Sequence, residues 1–159
     1  MKNIWIRRFV AATRSGEPLL TDEEIALIPR EYYGHSRRIR CEHQLIFDIV
    51  QRSDYRIAGE IALRMGDSPE LFYLGHIGYH VDPPFRGHGY AAKACRLCVP
   101  IFKAMGMQSV VITTDPDNEP SVKTCLRLGC VLESTVAVAP QVRENLEISA
   151  VKRRYIWML

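Results

Sequence analysis

The stretch Arg86-Gly87-His88-Gly89-Tyr90-Ala91 decides how the rest of the chain is interpreted. It follows an apolar, strand-like segment that ends at Val81, and it opens a helix-like segment over residues 90–105. Small residues let the backbone turn tightly and let a ligand approach its N–H groups. The first N–H groups of a helix lack partners within it and lie at the positive end of its dipole. A strand, a glycine-rich turn and a helix N-terminus together predict a phosphate-binding site.

Length and composition indicate a single globular domain over residues 1–159, large enough to bury a core without disulfides or metals. The net charge of +3 does not favour nucleic acid as a partner. No segment approaches the roughly 20 apolar residues needed to cross a bilayer, and the N-terminus lacks the pattern of a secretory signal. Five cysteines, an odd number, fit a reducing compartment. We therefore expect a cytoplasmic protein without a membrane partner.

The N-terminal half is predicted to be mainly antiparallel sheet. Residues 3–10 are rich in β-branched and aromatic types, which predicts a strand. Thr21-Asp22-Glu23-Glu24 is typical of a capping box at a helix start, but a strand through residues 25–27 fits nearly as well, and the choice stays open. Three further strands are predicted over residues 44–51, 55–65 and 71–81. Their short linkers require antiparallel pairing.

The C-terminal half is predicted to add two helices and three strands. The helix over residues 90–105 contains Pro100, which is expected to kink it. The second helix is predicted to be capped by Asn118 or Asp117 and ended by Gly129. The strands are predicted over residues 109–114, 131–139 and 146–157. A strand–helix–strand unit implies one locally parallel pair inside a mixed sheet, and hence an α+β or α/β domain.

Three kinds of site compete for a glycine turn that opens a helix. A mononucleotide P-loop needs Lys followed by Ser or Thr after its glycines, and Ala91-Ala92 stand there instead. A dinucleotide-binding turn belongs on the first strand of an alternating βαβ chain, whereas this turn lies past mid-chain after antiparallel strands. The third kind is an acyl-CoA site, whose pyrophosphate also needs free N–H groups at a helix start.

Two segments resemble one known family. Arg86-x-x-Gly89-x-Ala91 is similar to the R/Q-x-x-G-x-G/A motif of GNAT-type, acetyl-CoA-dependent N-acetyltransferases. Downstream, Asn118-Glu119-Pro120-Ser121 and then Leu128-Gly129 resemble the N-x-x-S … x-G-F segment of the same family, in its order and approximate spacing. The resemblance implies the GNAT fold: an α/β (α+β) domain with a mixed, mostly antiparallel sheet of about seven strands and helices on both faces. It also implies acetyl-CoA as cosubstrate and no metal.

The resemblance further implies where acetyl-CoA binds. Val81 would hydrogen-bond the pantetheine arm through its backbone, and the arm would occupy the opening between its strand and the parallel strand over 109–114. Asn118 and Ser121 would reach the cofactor from the second helix, although each can also be an ordinary helix-start residue. The pyrophosphate would bind the backbone N–H groups of Arg86, Gly87, His88, Gly89, Tyr90 and Ala91. Four basic residues are equal candidates for the 3′-phosphate, namely Lys93, Arg96, Lys123 and Arg127.

The same resemblance implies candidate catalytic residues. An amine must lose a proton to attack a thioester, so a base is expected. Many family members carry a glutamate where this chain has His76, and an imidazole can serve instead. His80 on the same strand face and Glu60 on the neighbouring strand are alternative bases. Cys125 stands where the family has its acid tyrosine, so it is either a weak acid or a packed helix residue.

The function implied by the resemblance is transfer of an acetyl group from acetyl-CoA to a primary amine by direct attack in a ternary complex. The acceptor, a small-molecule amine or a peptide N-terminus, is not specified by these motifs. A homodimer is compatible with the pattern. The alternative is a non-catalytic acyl-CoA-binding or sensor protein with the same fold, because the family's acid tyrosine is missing.

Overall fold

One eight-stranded mixed sheet organises the computed structural model, which describes residues 2–159. The helices are α1 (Lys2–Ser15), α2 (Pro69–Leu74), α3 (Tyr90–Ala104), α4 (Glu119–Leu128) and α5 (Pro140–Leu146). The strands are β1 (Leu20–Thr21), β2 (Ile25–Tyr33), β3 (His43–Gln51), β4 (Ile57–Met65), β5 (Ile77–Val81), β6 (Ser109–Thr114), β7 (Val131–Ala137) and β8 (Val151–Met158). Within residues 2–159, no helix has both the length and the apolar character that a membrane span requires.

The strand order is β1-β2-β3-β4-β5-β6-β8-β7, and every neighbouring pair is antiparallel except β5 and β6. This confirms the predicted mixed, mostly antiparallel sheet, with eight strands rather than about seven. The parallel pair follows from the helix α3, which carries the chain from the end of β5 back to the start of β6.

Alternating side chains give the central strands one apolar face. On β3 the buried side chains are Leu45, Phe47 and Ile49, whereas Asp48 between them faces the other side. The helices α1 and α3 cover this face, and the ring of Phe9 meets the ring of Phe47 edge-on with centroids 4.8 Å apart. The core therefore lies between the sheet and α1, α3 and also α4, which contributes Cys125 and Leu128.

The opposite face carries α2, so helices cover both faces as predicted. The carbonyl of Tyr73 accepts a hydrogen bond from the Thr113 hydroxyl of β6 at 2.8 Å. The carbonyl of Phe72 accepts another from the Arg154 guanidinium of β8. Arg154 is 7% exposed and also donates to Glu133 at 2.7 Å, so the charge under α2 is paired.

The predicted strand over residues 3–10 is wrong, because these residues belong to α1. Trp5 and Phe9 are four positions apart and therefore share a helix face that packs on the core. Burial of that face outweighs the β propensity of the individual residues. At residues 21–28 the strand alternative is right: Asp22 closes a turn by accepting the N–H groups of Glu24 and Ile25, each at 2.7 Å.

Two predicted strands begin too early because short helices precede them. Residues 71–74 lie in α2, which Ser68 caps by accepting the Leu71 N–H at 3.1 Å. Pro69 occupies a first-turn position, where its missing N–H costs nothing. At the C-terminal end, β8 begins at Val151 rather than at Leu146, which is the last residue of α5.

The helices and the strand around β6 agree with the predictions made from the sequence. The helix α3 begins at Tyr90, and β6 spans Ser109–Thr114 as predicted. The helix α4 has Asn118 as its N-cap, and Gly129 ends it in the left-handed conformation. Pro100 lies inside α3, and the kink expected there stays a prediction.

Candidate active site

The turn between β5 and α3 has a backbone that needs glycine at two positions. Gly87 and Gly89 have φ angles of +87° and +72°, where a side chain is strained. A Cβ atom placed on Gly89 would also lie 2.5 Å from Nη1 of Arg127. Gly89 therefore allows both the turn and the close approach of a guanidinium from α4.

The first turn of α3 presents free backbone donors beside this glycine. The first intrahelical bond runs from the Lys93 N–H to the Gly89 carbonyl at 3.1 Å, so the N–H groups of Tyr90 and Ala91 have no helical acceptor. Arg86 differs, because its N–H donates to the Pro83 carbonyl at 3.3 Å. The helix start can accept an anion mainly through residues after Arg86.

Among the four basic candidates, Arg127 has its guanidinium against the turn. Its guanidinium lies over Gly89, and its carbonyl accepts a hydrogen bond from Arg96 at 2.8 Å. Lys93 forms an ion pair with Glu24 instead. The geometry thus favours Arg127 over Lys93 and Arg96 as a partner for a phosphate bound at the turn.

On the side that faces β6, part of the β5 backbone has no strand partner. The Asp82 N–H donates to the Ala58 carbonyl next to β4 at 2.8 Å, and backbone groups alternate along a strand. Tyr79 and Val81 therefore turn their backbone groups toward β6. Among the described residues, the two strands pair in parallel only through Ile77 of β5. A gap thus opens beside Tyr79 and Val81.

Val81 already has one contact at this gap. Its carbonyl accepts a hydrogen bond from Nε of Arg86 at 2.9 Å. The predicted bond between Val81 and a pantetheine arm therefore has two routes: through the N–H, or through the carbonyl after Arg86 has moved.

Tyr79 is a site residue that the sequence analysis missed. Its hydroxyl lies 2.9 Å from Oγ of Ser121, 3.3 Å from the Ser121 carbonyl and 4.0 Å from Sγ of Cys125. The phenol thus reaches from β5 to α4. Burial raises the pKa of Tyr79 above its ordinary value, and the charge of a Cys125 thiolate would raise it further. The available signal was its position in Gly78-Tyr79-His80-Val81, two residues before the predicted arm-binding residue.

Cys125 is fully buried in α4. Besides Tyr79, its neighbour is Cys130, whose N–H donates to the Cys125 carbonyl at 3.0 Å just beyond the helix. Interaction between the two thiols lowers the pKa of Cys125 and raises that of Cys130. Both cysteines belong to the apolar core cluster.

His76 connects β5 to β6 rather than facing an open cleft. Its ring Nδ1 accepts a hydrogen bond from the Val111 N–H at 2.9 Å, and the backbone N–H of His76 donates to the Val111 carbonyl at 2.8 Å. Burial lowers the pKa of His76, and the charges of Arg154 and Arg64 lower it further. A neutral ring that accepts at Nδ1 carries its proton at Nε2, so it has no free lone pair. The expectation that His76 is the base does not fit this arrangement.

His80 and Glu60 are cross-strand neighbours on β5 and β4. His80 is exposed, and its Nε2 lies 3.1 Å from Oδ1 of Asp82. Glu60 is held by Arg30, whose Nη2 lies 2.7 Å from Oε2, and the same guanidinium contacts Asp48 at 2.7 Å. If Nε2 of His80 donates to Asp82, Nδ1 is left to accept a proton, whereas Glu60 is already paired.

Asn118 and Ser121 both have structural roles at the start of α4. Oδ1 of Asn118 accepts the Ser121 N–H at 3.3 Å, which is a helix cap. Oγ of Ser121 contacts the Tyr79 hydroxyl. The amide NH₂ of Asn118 stays free to meet a ligand, because only its oxygen makes the cap.

The glycine turn, the gap beside β5 and the mixed sheet define the GNAT class of acetyltransferases. Residues 7–131 match the family described as the acetyltransferase (GNAT) domain, and the chain belongs to this family. No curated protein is significantly similar to the chain.

Solved structures share this fold at low sequence identity. Microcin C7 self immunity acetyltransferase MccE, in complex with acetyl-CoA and AMP, is 24% identical with a TM-score of 0.56, covering 73% of this chain and 61% of that one. Ribosomal-protein-S5-alanine acetyltransferase from Vibrio fischeri is 22% identical with a TM-score of 0.55, covering 72% and 61%. An acetyl transferase from Salmonella typhimurium that modifies the N-terminal serine of ribosomal protein L7/L12 is 18% identical with a TM-score of 0.56, covering 73% and 64%. The chain thus spans less than two-thirds of these proteins.

Proposed function

We propose that this chain, as one N-acetyltransferase domain, transfers an acetyl group from acetyl-CoA to a primary amine by direct attack in a ternary complex. One observation carries the proposal: the glycine turn at the start of α3 is continuous with the gap beside β5. A turn that accepts phosphate and a gap that accepts an extended arm are the two halves of an acyl-CoA site. Membership of the GNAT family supports the same function.

The residues present fit acetyl-CoA. The absence of a side chain at Gly89 leaves space beside the Arg127 guanidinium that a Cβ atom would occupy. Across the gap, Thr114 at the end of β6 is 2% exposed, and its hydroxyl has no hydrogen-bond partner among the described residues. A buried hydroxyl without a partner is costly, and a polar arm in the gap would offer it one.

The binding roles follow from these positions. The N–H groups of Gly87 to Ala91 would hold the pyrophosphate, with the Arg127 guanidinium beside Gly89 as a cation for it. The backbone of Val81 would bind the pantetheine arm. The N–H of Tyr79 points into the same gap and would donate to the thioester oxygen as negative charge develops on it.

We propose His80 as the base that removes the amine proton. Asp82 holds the ring at Nε2 and would stabilise the imidazolium after proton transfer, whereas Nδ1 is free to accept. His80 is exposed, so an acceptor can reach it. Glu60, its cross-strand neighbour, is held by Arg30 and is not proposed as the base.

For the acceptor, we propose a peptide N-terminus before a small-molecule amine. Two solved relatives are named for acetylating an alanine or an N-terminal serine of ribosomal proteins. We also propose that the enzyme works in the cytoplasm, which is supported by five cysteines that are all buried and free.

The test is CoA release from acetyl-CoA in the presence of an amine panel. The panel contains peptides that begin with alanine or serine and a set of small primary amines. We expect turnover with at least one acceptor, and His80→Gln should lower kcat by about 100-fold or more, with the KM for acetyl-CoA changed less than about two-fold.

Two results would count against this function. If acetyl-CoA binds, no amine in the panel raises turnover and His80→Gln changes nothing, the chain is an acyl-CoA-binding or sensor protein. If acetyl-CoA gives neither binding heat nor a thermal shift, the site is not an acyl-CoA site.

A further inference from the structure

We infer that the hydroxyl of Tyr79 is the hydrogen-bond donor to the leaving sulfur of CoA. This inference rests on the proposed acetyl transfer and names the group that stabilises its leaving thiolate. The hydroxyl lies 2.9 Å from Oγ of Ser121 and 4.0 Å from Sγ of Cys125. Cys125 is the position where the family has its acid tyrosine, so a phenol from another element reaches the same place.

Cys125 itself cannot take this role without a change of environment. Its side chain is fully buried within the core. Tyr79 belongs to β5, whose unpaired backbone lines the gap. The same residue thus presents its N–H toward one end of a thioester bound in the gap and its hydroxyl toward α4.

The amine nitrogen forms a bond to the thioester carbon, and His80 takes the amine proton. The carbon–sulfur bond then breaks, and its electron pair goes to sulfur. Tyr79 keeps its O–H bond and donates a hydrogen bond to the resulting thiolate, which leaves as CoA and takes a proton from solvent.

Burial explains why the phenol donates rather than ionises. The pKa of Tyr79 is raised above its ordinary value, so the hydroxyl keeps its proton throughout the neutral range. Ser121 offers both a hydroxyl and a carbonyl to hold the phenol in place before the cofactor arrives. When the Ser121 hydroxyl donates to the phenol oxygen, the phenol proton can turn from the Ser121 carbonyl to the thiolate while the ring stays in place.

The test measures the pKa of the bound CoA thiol, which needs no knowledge of the acceptor. Thiolate absorbance of the protein–CoA complex is titrated with pH, and the same titration with desulfo-CoA subtracts the protein cysteines. We expect the thiol pKa of bound CoA to lie below that of free CoA. Tyr79→Phe should raise it by about one pKa unit or more, because a hydrogen bond to a charged group is lost.

Kinetics with any acceptor from the panel provide a second readout. Tyr79→Phe should lower kcat while leaving the KM for acetyl-CoA within about two-fold. Tyr55→Phe is the matched control, because Tyr55 is 83% exposed, and it should change neither quantity. Should Tyr79→Phe fail to fold, Ser121→Ala keeps the phenol and the backbone carbonyl but removes the hydroxyl partner, and it should give a smaller shift in the same direction.

Several outcomes overturn the inference. One is a Tyr79→Phe variant that binds CoA with an unchanged thiol pKa. Another is a Cys125→Ala variant that alone produces the whole shift. A third is a large loss of CoA affinity in Tyr79→Phe without a thiol shift, which would mean that the phenol only shapes the gap. Failure of the wild-type protein to bind CoA would contradict the proposed function instead.

Discussion

Gly89 combines two demands at one residue: a left-handed backbone and a guanidinium close to its α-carbon. Gly89→Ala should therefore weaken acetyl-CoA binding by about 10-fold or more, since Arg127 must move from the phosphate site. The strained backbone should also lower the free energy of unfolding by about 1–2 kcal/mol. Calorimetric titration with acetyl-CoA and urea unfolding measure the two effects.

Gly106→Ala is the matched control for this prediction. Gly106 follows α3 with a φ of +83°, and nothing lies within 4 Å of a Cβ atom there. It should lose a similar free energy of unfolding without any change in the Kd for acetyl-CoA. Equal losses of affinity in both variants would show that strain alone explains the effect at Gly89.

His76 should make the stability of the protein depend on pH. Its pKa is lower in the folded state than the usual value near 6.5, so below that value the unfolded chain binds more protons than the folded one. The free energy of unfolding should therefore fall as the pH is lowered from about 6.5 toward the folded pKa, and no further below it. Urea unfolding of the wild type at pH 7.5 and pH 5.5 measures this loss.

His76→Gln is the comparison, because a glutamine oxygen can still accept the Val111 N–H but does not titrate. The other histidines and carboxyl groups are common to both proteins and cancel in the difference. We expect the variant to lose less stability than the wild type between the two pH values. An identical loss in both proteins would mean that His76 is not the group responsible.

For individual residues, the sequence predicts those roles that depend on neighbouring positions in the chain. Gly89 could be predicted because the turn and helix start that need it are adjacent in the chain. His76 could not be assigned correctly, because its partner Val111 is 35 positions away and reveals itself only when β5 meets β6. Tyr79 was missed for the same reason, since its hydroxyl contacts lie 42 or more positions downstream.

Among the elements, α4 is held by a cap that can be tested independently of cofactor binding. Asn118→Ala should lower the free energy of unfolding by about 1 kcal/mol, because the Ser121 N–H loses its acceptor. Asn118→Asp keeps an oxygen at that place and should restore the stability. Thermal unfolding of the three proteins checks both statements.

The same pair of variants tests whether Asn118 also binds the cofactor. Asn118→Asp retains the cap but removes the amide NH₂ that a ligand would need. A Kd for acetyl-CoA within about two-fold of wild type would assign Asn118 to the cap alone. A stable Asn118→Asp protein with a clearly weaker Kd would place the amide in contact with the cofactor.

The elements that sequence analysis assigned incorrectly share a physical cause. In α1 the β-branched and aromatic residues favour a strand one by one, but their four-residue spacing matches a helix that packs on the sheet. In α2 and α5 the helices have only six and seven residues, too short for a periodic pattern to be recognised. The strands β3, β4 and β6 were predicted because alternation or sustained apolar character extends through them.

On the scale of the whole molecule, the gap beside β5 should make one part of the sheet exchange its amide hydrogens rapidly. The N–H groups of Tyr79 and Val81 face the gap, whereas the Gly78 N–H faces β4. Hydrogen exchange should therefore be faster at Tyr79 and Val81 than at Gly78 in the protein alone. Saturating acetyl-CoA should slow the two fast amides.

Acetyl-CoA at 100 times its Kd should also stabilise the whole protein by about 2.7 kcal/mol if it binds only the folded state. Amide exchange resolved by NMR gives the local effect, and thermal unfolding gives the global one. Global stabilisation without protection at Tyr79 and Val81 would place the cofactor outside the gap.

During synthesis, the strands leave the ribosome in the order in which the first five of them pair. Each of β1 to β5 pairs with the strand made just before or just after it, so this part of the sheet is complete once residue 81 has emerged. The remaining strands pair in the order β6-β8-β7, so they need β8, which ends at Met158, before they can close. A nascent chain can therefore assemble the first five strands before the other three exist. The gap beside β5 thus separates the five strands that can pair early in synthesis from the three strands that pair later.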